Sequence, residues 1–181
     1  MVSRALVAVI ALALVPSLAR AQEGGKSPEL VKQLTQLLEQ KKIEAVASPD
    51  AQNPGSFLAA LYFPGTQLIL VSAKYSSPPL LTELLARKDY KAVYAELVSA
   101  SVPGSKVFIS DIYADGLFVK PSGSNPPDSV ENGNTQTSFD GAWKKAKLSE
   151  ADYLKIFSDA DAVYTRALQG LINHLKASGT L

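Results

Sequence analysis

The sequence predicts an α+β domain in which a mainly antiparallel sheet, or a split barrel, is flanked by helices and followed by a long C-terminal amphipathic helix. Three observations support this prediction. Apolar residues recur at helical spacing near both ends of the chain. Between them, tight-turn residues separate short apolar runs, as in hairpins rather than βαβ crossovers. No repeat or linker divides the 181 residues, so we expect a single domain.

The first 21 residues have the pattern of a secretory signal peptide. Arg4 precedes an apolar run over residues 5–15, and Ala19-Arg20-Ala21 supplies small residues at a cleavage site. A retained N-terminal anchor is the alternative, although the run is shorter than the ~20 residues that span a bilayer. We therefore expect residues 22–181 to be exported as a soluble domain, either periplasmic or extracellular.

Charge and sulfur content argue against several functions. The chain has 18 basic and 17 acidic residues, and cleavage after residue 21 would remove Arg4 and Arg20 and leave a net charge near −1. This balance argues against nucleic acid as a partner, and against a membrane once the signal is cleaved. There is no cysteine, one histidine and one methionine, Met1. Disulfides, thiol catalysis and ligation of zinc or haem are therefore not expected.

The first predicted elements are a helix and a short strand. Ser27-Pro28-Glu29 combines a hydroxyl N-cap, a proline at the first helical position and an acid near the positive helix end. An apolar stripe follows, and Lys41-Lys42 places cations at the opposite end. Residues 43–47 predict a strand, and residues 48–56 form a turn-rich connection.

Residues 57–73, FLAALYFPGTQLILVSA, contain no charge. A membrane helix here would place Pro64-Gly65 at mid-bilayer and would still be short. The same pair suits the centre of a type II turn, because proline presets the first dihedral and glycine accepts a positive φ at the second. We therefore predict a core hairpin whose second strand is central in the sheet and covered on both faces.

A further helix is predicted after this hairpin. Ser76-Ser77-Pro78-Pro79 precedes a leucine-bearing stripe, which Arg87-Lys88-Asp89 interrupts. Residues 90–98 resume the stripe, either as a continuation or as a second short helix.

A second hairpin is predicted beyond it. A turn over residues 102–105 leads to a strand over residues 106–112. Ala114-Asp115-Gly116 then marks a tight turn, and residues 117–119 are the returning strand.

Residues 121–141 are predicted to lack regular structure. They are rich in Pro, Ser, Asn and Gly, and a loop of about 20 residues in a compact domain is either functional or mobile. We expect a mobile loop, or a segment that becomes ordered on an envelope protein.

The last element is predicted to be the longest helix. Ser149-Glu150-Ala151-Asp152 resembles a capping box. The apolar residues that follow recur at helical spacing and form one stripe: Tyr153, Ile156, Phe157, Ala160, Val163, Tyr164, Leu168, Leu171, Ile172 and Leu175.

The common catalytic signatures are absent from the sequence. A Ser-His-Asp triad would need His174, which lies beside the apolar stripe of the last helix, so a structural or surface histidine is expected. No lysine follows a serine or threonine by three positions, and neither GxGxxG nor GxxxxGK[ST] occurs.

Lysines and hydroxyls next to the hairpins are the candidate ligand-binding residues. Lys74, Tyr75 and Ser76 lie where a strand ends and a helix begins, and free N–H groups at a helix N-terminus attract phosphate or carboxylate. Lys106, at the head of another strand, is the fourth candidate. The alternative is an ordinary strand end followed by a capping serine.

The order of elements resembles that of the flavin-binding split barrels related to pyridoxamine phosphate oxidase. The shared elements lie between residues 28 and 119: a leading helix, the strand IEAVA, the hairpin SFLAALYFPGTQLILVSAKY, the helix PPLLTELLARKDYKAVYAELV and the strand KVFISDI. The resemblance implies FMN as cofactor, with Lys74, Ser76 and Lys106 as candidates to hold its phosphate.

From the sequence we expect a non-catalytic domain that binds a small molecule or an envelope protein. The alternative is a split-barrel flavin-binding protein or oxidoreductase, and a homodimer is compatible with either.

Overall fold

The protein is an α+β domain with helices on both faces of one antiparallel sheet. A computed structural model describes residues 25–75, 83–117, 128–132, 135–138 and 149–178. The predicted signal peptide lies outside the described residues, and so does the candidate ligand-binding serine that follows Tyr75.

The six strands follow one another across the sheet in chain order, and each neighbouring pair is antiparallel. Of the two predicted forms, a mainly antiparallel sheet and a split barrel, the described strands thus form the sheet. Short connections suffice for such an arrangement. The elements are α1 (Ser27–Lys41), β1 (Ala45–Pro49), β2 (Ser56–Phe63), β3 (Gln67–Tyr75), α2 (Tyr90–Ala100), β4 (Ser101–Ile112), β5 (Ser129–Asn132), β6 (Thr135–Ser138) and α3 (Glu150–Ala177).

β3 has the central position that its apolar sequence predicts. Leu68 and Leu70 pack with α1 and α3 on one face of the sheet, which we name the α3 face. Ile69 and Val71 pack with α2 on the other, the α2 face. All four side chains are at most 5 % exposed. A strand buried on both sides needs no apolar–polar alternation, which explains the uncharged run.

The predicted core hairpin is confirmed, because β2 and β3 pair along the whole length of β2. At its corner the Thr66 N–H donates to the Phe63 carbonyl at 2.9 Å, and Gly65 has a φ of +69°. Among the described residues, no helix combines the length and the apolar character that a bilayer span requires.

Two helix starts follow the signals in the sequence. The hydroxyl of Ser149 accepts the Asp152 N–H at 3.1 Å where α3 begins, as the capping box predicts. The carboxylate of Asp89 accepts the Ala92 N–H at 3.1 Å where α2 begins. The polar segment Arg87-Lys88-Asp89 therefore caps a second helix. Of the two predicted alternatives, residues 90–98 belong to this second helix and are not a continuation of the first.

Two predicted strand boundaries are wrong. β1 begins at Ala45, two residues late, because Lys42 adopts a left-handed conformation with a φ of 55° at the end of α1. The predicted turn over residues 102–105 lies within β4. Here the pairing with β3 shifts register between Ala73 and Tyr75. An irregularity of this kind accommodates a proline and a glycine inside a strand.

The prediction for residues 121–141 is also wrong where the structure describes them. β5 pairs with β4, and β6 pairs with β5. Among the described residues, β5 is therefore the strand that returns beside β4. Of the predicted returning strand over residues 117–119, only Leu117 is described, and it lies outside any strand. Val130 is 4 % exposed, and Glu131 forms an ion pair with Lys106 at 2.9 Å. With one buried apolar residue, β5 shows little apolar–polar alternation in the sequence. Its stabilisation comes from its pairing with the long strand β4.

A buried carboxylate joins the sheet to α3. Asp111, at the end of β4, is fully buried and accepts the Tyr164 hydroxyl at 2.9 Å. It also accepts the N–H groups of Asp115 and Gly116 at 3.1 and 3.0 Å, which fixes the turn after β4. Burial raises the pKa of Asp111 from 3.8 to about 7, although these hydrogen bonds favour the ionised form.

A second buried contact joins α1 to α3 and to the same turn. The Ser27 hydroxyl donates to the Asp161 carboxylate and accepts the Leu117 N–H at 3.1 Å, rather than capping its own helix. Gly116 packs on the first turn of α1: a methyl group there would lie 2.6 Å from the backbone nitrogen of Pro28. The turn, α1 and α3 are therefore held as one unit.

We predict that Tyr164→Phe destabilises the protein more at pH 8 than at pH 5. Because the pKa of Asp111 is raised on folding, this group contributes stability below pH ~4 that is lost as pH rises through about 7. The Tyr164 hydroxyl offsets that loss by about 1.5–3 kcal/mol where Asp111 is ionised. Urea unfolding at both pH values measures the difference. Tyr62→Phe, which removes a bond to Glu39, should show no such pH dependence; equal costs for Tyr164→Phe would contradict the prediction.

Gly116→Ala should lower the free energy of unfolding more than Gly65→Ala does, although both glycines have a positive φ, +91° and +69°. A Cβ at Gly65 meets nothing within 4 Å, so only the backbone penalty of about 1 kcal/mol applies. At Gly116 the clash with Pro28 adds to it, and we expect a total above ~2 kcal/mol. Thermal unfolding of both variants checks the order, which would be reversed or lost if α1 did not pack on the turn.

Candidate functional site

Two cavities lie side by side at one end of the sheet. The first, of about 360 Å³, lies between the β1–β2 connection and the C-terminal half of α3, and we name it the Arg166 cavity. The second, of about 250 Å³, lies over the start of β2, the end of β3 and the first half of β4, and we name it the Lys74 cavity. Asn53 and Ser72 line both, so the two cavities share a wall and form one groove.

The β1–β2 connection forms one wall of the Arg166 cavity and is organised around Asp50. Its carboxylate accepts the Gln52 N–H at 2.9 Å and the Asn53 side-chain amide at 2.7 Å, and the Ser72 hydroxyl lies 3.5 Å away. Its own N–H donates to the Ser56 carbonyl at 2.9 Å. Asp50 is 8 % exposed. Its charge is therefore largely satisfied by the connection itself.

The opposite wall is a stripe of α3. Arg166, Gly170 and His174 follow one another at intervals of four residues and so lie on one side of the helix. Arg166 and His174 are exposed. Within the part of the chain that the structure describes, neither side chain makes a hydrogen bond or an ion pair. Gly170 has no side chain, which leaves room between the helix and the connection.

Lys74 is the predicted site residue that the structure places in this groove. It is opposite Ser56 in the β2–β3 register and two residues from Ser72, so all three side chains lie on the α3 face. The ammonium has no acidic partner among the described residues. Lys74 thus supplies the second cavity with an unpaired cation.

Lys106 lines the same cavity, but its ammonium is held elsewhere. Alternation along β4 places its side chain with Phe108, which packs on the α2 face. The ammonium lies 2.9 Å from the Glu131 carboxylate and 5.3 Å from the centroid of the Phe108 ring. Lys106 and Lys74 are therefore neighbours along the sheet that point to opposite faces.

Tyr75 also lies on the α2 face, away from the groove. It is 8 % exposed, and its ring centroid is 6.1 Å from that of Phe57. Its hydroxyl is buried without a hydrogen-bond partner among the described residues, and burial raises the pKa of Tyr75. The structure thus places Lys74 and Lys106 along the same cavity, although their side chains point to opposite faces of the sheet, and it places Tyr75 elsewhere. Ser76 lies outside the described residues.

The sequence reasoning missed Arg166, Asp50 and Asn53. The intervals between Arg166, Gly170 and His174 are a detectable signal, since they place a cation, a gap and a polar ring on one side of a helix. The opposing connection carries no comparable signal, because only the fold brings residues 50–53 to α3.

Three side chains of the groove are of the types that form a Ser-His-Asp triad, but the described residues do not arrange them as one. His174, Asp50 and Ser72 line one cavity, but the serine lies against Asp50 and His174 makes no hydrogen bond within the described residues, so the relay of a Ser-His-Asp triad is not formed. The described residues also include no group of three or more histidine or acidic side chains placed to hold a metal ion.

No family model, curated protein or solved structure matches the chain. The groove itself is therefore what indicates a function.

Loss of charge at Lys106 and at Lys74 should change the free energy of unfolding by different amounts. Lys106→Gln breaks an ion pair whose side chains are 16 % and 25 % exposed, and we expect a loss of about 1 kcal/mol in the free energy of unfolding. Lys74→Gln breaks no ion pair and should stay within ~0.5 kcal/mol of the wild type. Urea unfolding of the two variants measures the contrast, and a larger cost at Lys74 would contradict the assignment of the faces.

Proposed function

We propose that the protein is an exported, non-catalytic binding domain whose groove takes a small anionic, hydroxyl-bearing molecule. One observation carries the proposal: the guanidinium of Arg166, exposed and without a partner among the described residues, lines a cavity whose carboxylate, Asp50, is already bonded to its own connection. Arginine presents a planar fork of donors that matches a carboxylate or a phosphate in two parallel hydrogen bonds.

The remaining lining fits a small polar ligand. A cavity of about 360 Å³ is within the range of small-molecule sites. Asn53 and Asn173 offer amides and Ser48 and Ser72 offer hydroxyls, which suit the alcohol groups of a ligand. Apolar residues line the rest of the cavity: Pro49, Ala51, Leu58, Val163 and Ala167. This mixture favours a compact molecule that combines one anionic group and several hydroxyls with an apolar part.

The proposal of export is supported by the N-terminal pattern over residues 1–21, which is typical of a secretory signal peptide. Capture of small anions outside the cytoplasm is a binding role that fits this pattern.

Titration with inorganic phosphate tests the proposal. We expect phosphate to shift the ¹⁵N–¹H NMR signals of residues 50–53 and 163–174, and Arg166→Gln to weaken its binding at least about tenfold, since a charged hydrogen bond is worth ~1.5–3 kcal/mol. Lys176→Gln, which removes an exposed cation from the same helix outside the groove, should bind as the wild type does. The absence of shifts in the groove, or equal binding by Arg166→Gln, would refute the proposal.

FMN tests the flavin alternative in the same experiment. Under the binding proposal FMN acts only as a phosphate-bearing molecule and competes with inorganic phosphate. A flavin absorbance change that survives Arg166→Gln would instead support the split-barrel interpretation.

A further inference from the structure

The Lys74 cavity indicates a second anionic group in the ligand. This inference rests on the proposed function. We infer that the groove is bipartite and that its ligand is a small molecule with two separate anionic groups, one at Arg166 and one at Lys74, and an uncharged, hydroxyl-bearing centre between them. The two anchors come from different layers of the fold, since Arg166 is on α3 and Lys74 is on β3.

The shared wall connects the two anchors. Ser72 lines both cavities, and Asn53 does so from the opposite side. Lys74 is two residues beyond Ser72 on the same face of β3, which separates their Cα atoms by about 7 Å. A molecule seated against Ser72 in the Arg166 cavity therefore needs only three or four bonds more to reach the lysine.

The charges are arranged for two anionic groups. Among the described lining residues, each cavity has one unpaired cation with a fixed positive charge, because the ammonium of Lys106 is bound to Glu131 on the other face. The single carboxylate, Asp50, receives hydrogen bonds from its own connection. A ligand with a single anionic group at Arg166 would not reach Lys74, whereas a ligand with two separate anionic groups pairs with both cations.

The uncharged part of the groove fits hydroxyl groups. Ser56, Ser72 and Ser105 line the Lys74 cavity, and Gly104 beside them keeps the backbone of β4 accessible. Hydroxyls both donate and accept hydrogen bonds, so they match alcohol groups in either orientation. Short phosphorylated hydroxy acids and hydroxylated dicarboxylates are the classes of molecule that combine these features.

A matched pair of probes tests the second anchor. 3-Phosphoglycerate carries a phosphate, a hydroxyl and a carboxylate, whereas glycerol 3-phosphate has an alcohol in place of the carboxylate. We expect the wild type to bind 3-phosphoglycerate about three- to tenfold more tightly by calorimetry, because the second anchor acts at a high effective concentration. Lys74→Gln should abolish this advantage and leave the binding of glycerol 3-phosphate unchanged.

Two further variants complete the test. Lys88→Gln, which removes an exposed lysine outside both cavities, should keep the advantage, and Arg166→Gln should weaken both probes. Equal binding of the probes to the wild type, or an advantage that survives Lys74→Gln, would overturn the second anchor while leaving the proposed function intact if Arg166→Gln still weakens both. Failure of both probes to bind the wild type would overturn the two together. Unchanged thermal unfolding of Lys74→Gln confirms that the variant is folded.

Discussion

The hydrogen bond between Asp111 and Tyr164 is the contact on which the arrangement of the groove depends. It is buried on both sides and joins the end of β4 to the middle of α3. A carboxylate that is removed from water costs free energy unless donors surround it, and here one hydroxyl and two backbone N–H groups do so. The same bond holds α3 against the sheet, and the polar side of α3 then becomes a wall of the Arg166 cavity. This buried contact thus positions a wall of the groove that it does not touch.

The alternation of side chains along the strands decides which charges the groove contains. Lys74 and Lys106 are on neighbouring strands, yet one faces α3 and the other faces α2. The ammonium of Lys74 has no acidic partner among the described residues, whereas that of Lys106 stabilises the pairing of β4 with β5 through Glu131. Lys74 and Lys106 therefore have different surroundings, because their side chains point to opposite faces of the sheet.

The sequence predicted the elements with local signals and failed where the contacts are distant. Pro64-Gly65 and Ser149 each specify a turn or a cap within four residues, and the structure has those features. β5 was not predicted, because its main support is its pairing with β4. Lys74 was among the candidate site residues and Arg166 was not, although both line the groove. The connection that faces Arg166 is more than a hundred residues earlier in the chain, and no local pattern relates the two.

The alternation of side chains along β3 also affects how the groove could change during evolution. Lys74 and Tyr75 are consecutive, one in the groove and one against Phe57 on the other face. Deletion of a single residue earlier in β3 would exchange their surroundings, because every later side chain in the strand would change face. The groove would then lose a cation and acquire an aromatic ring without any substitution within it. The length of this strand is therefore as much a determinant of ligand chemistry as the amino acids that line the groove.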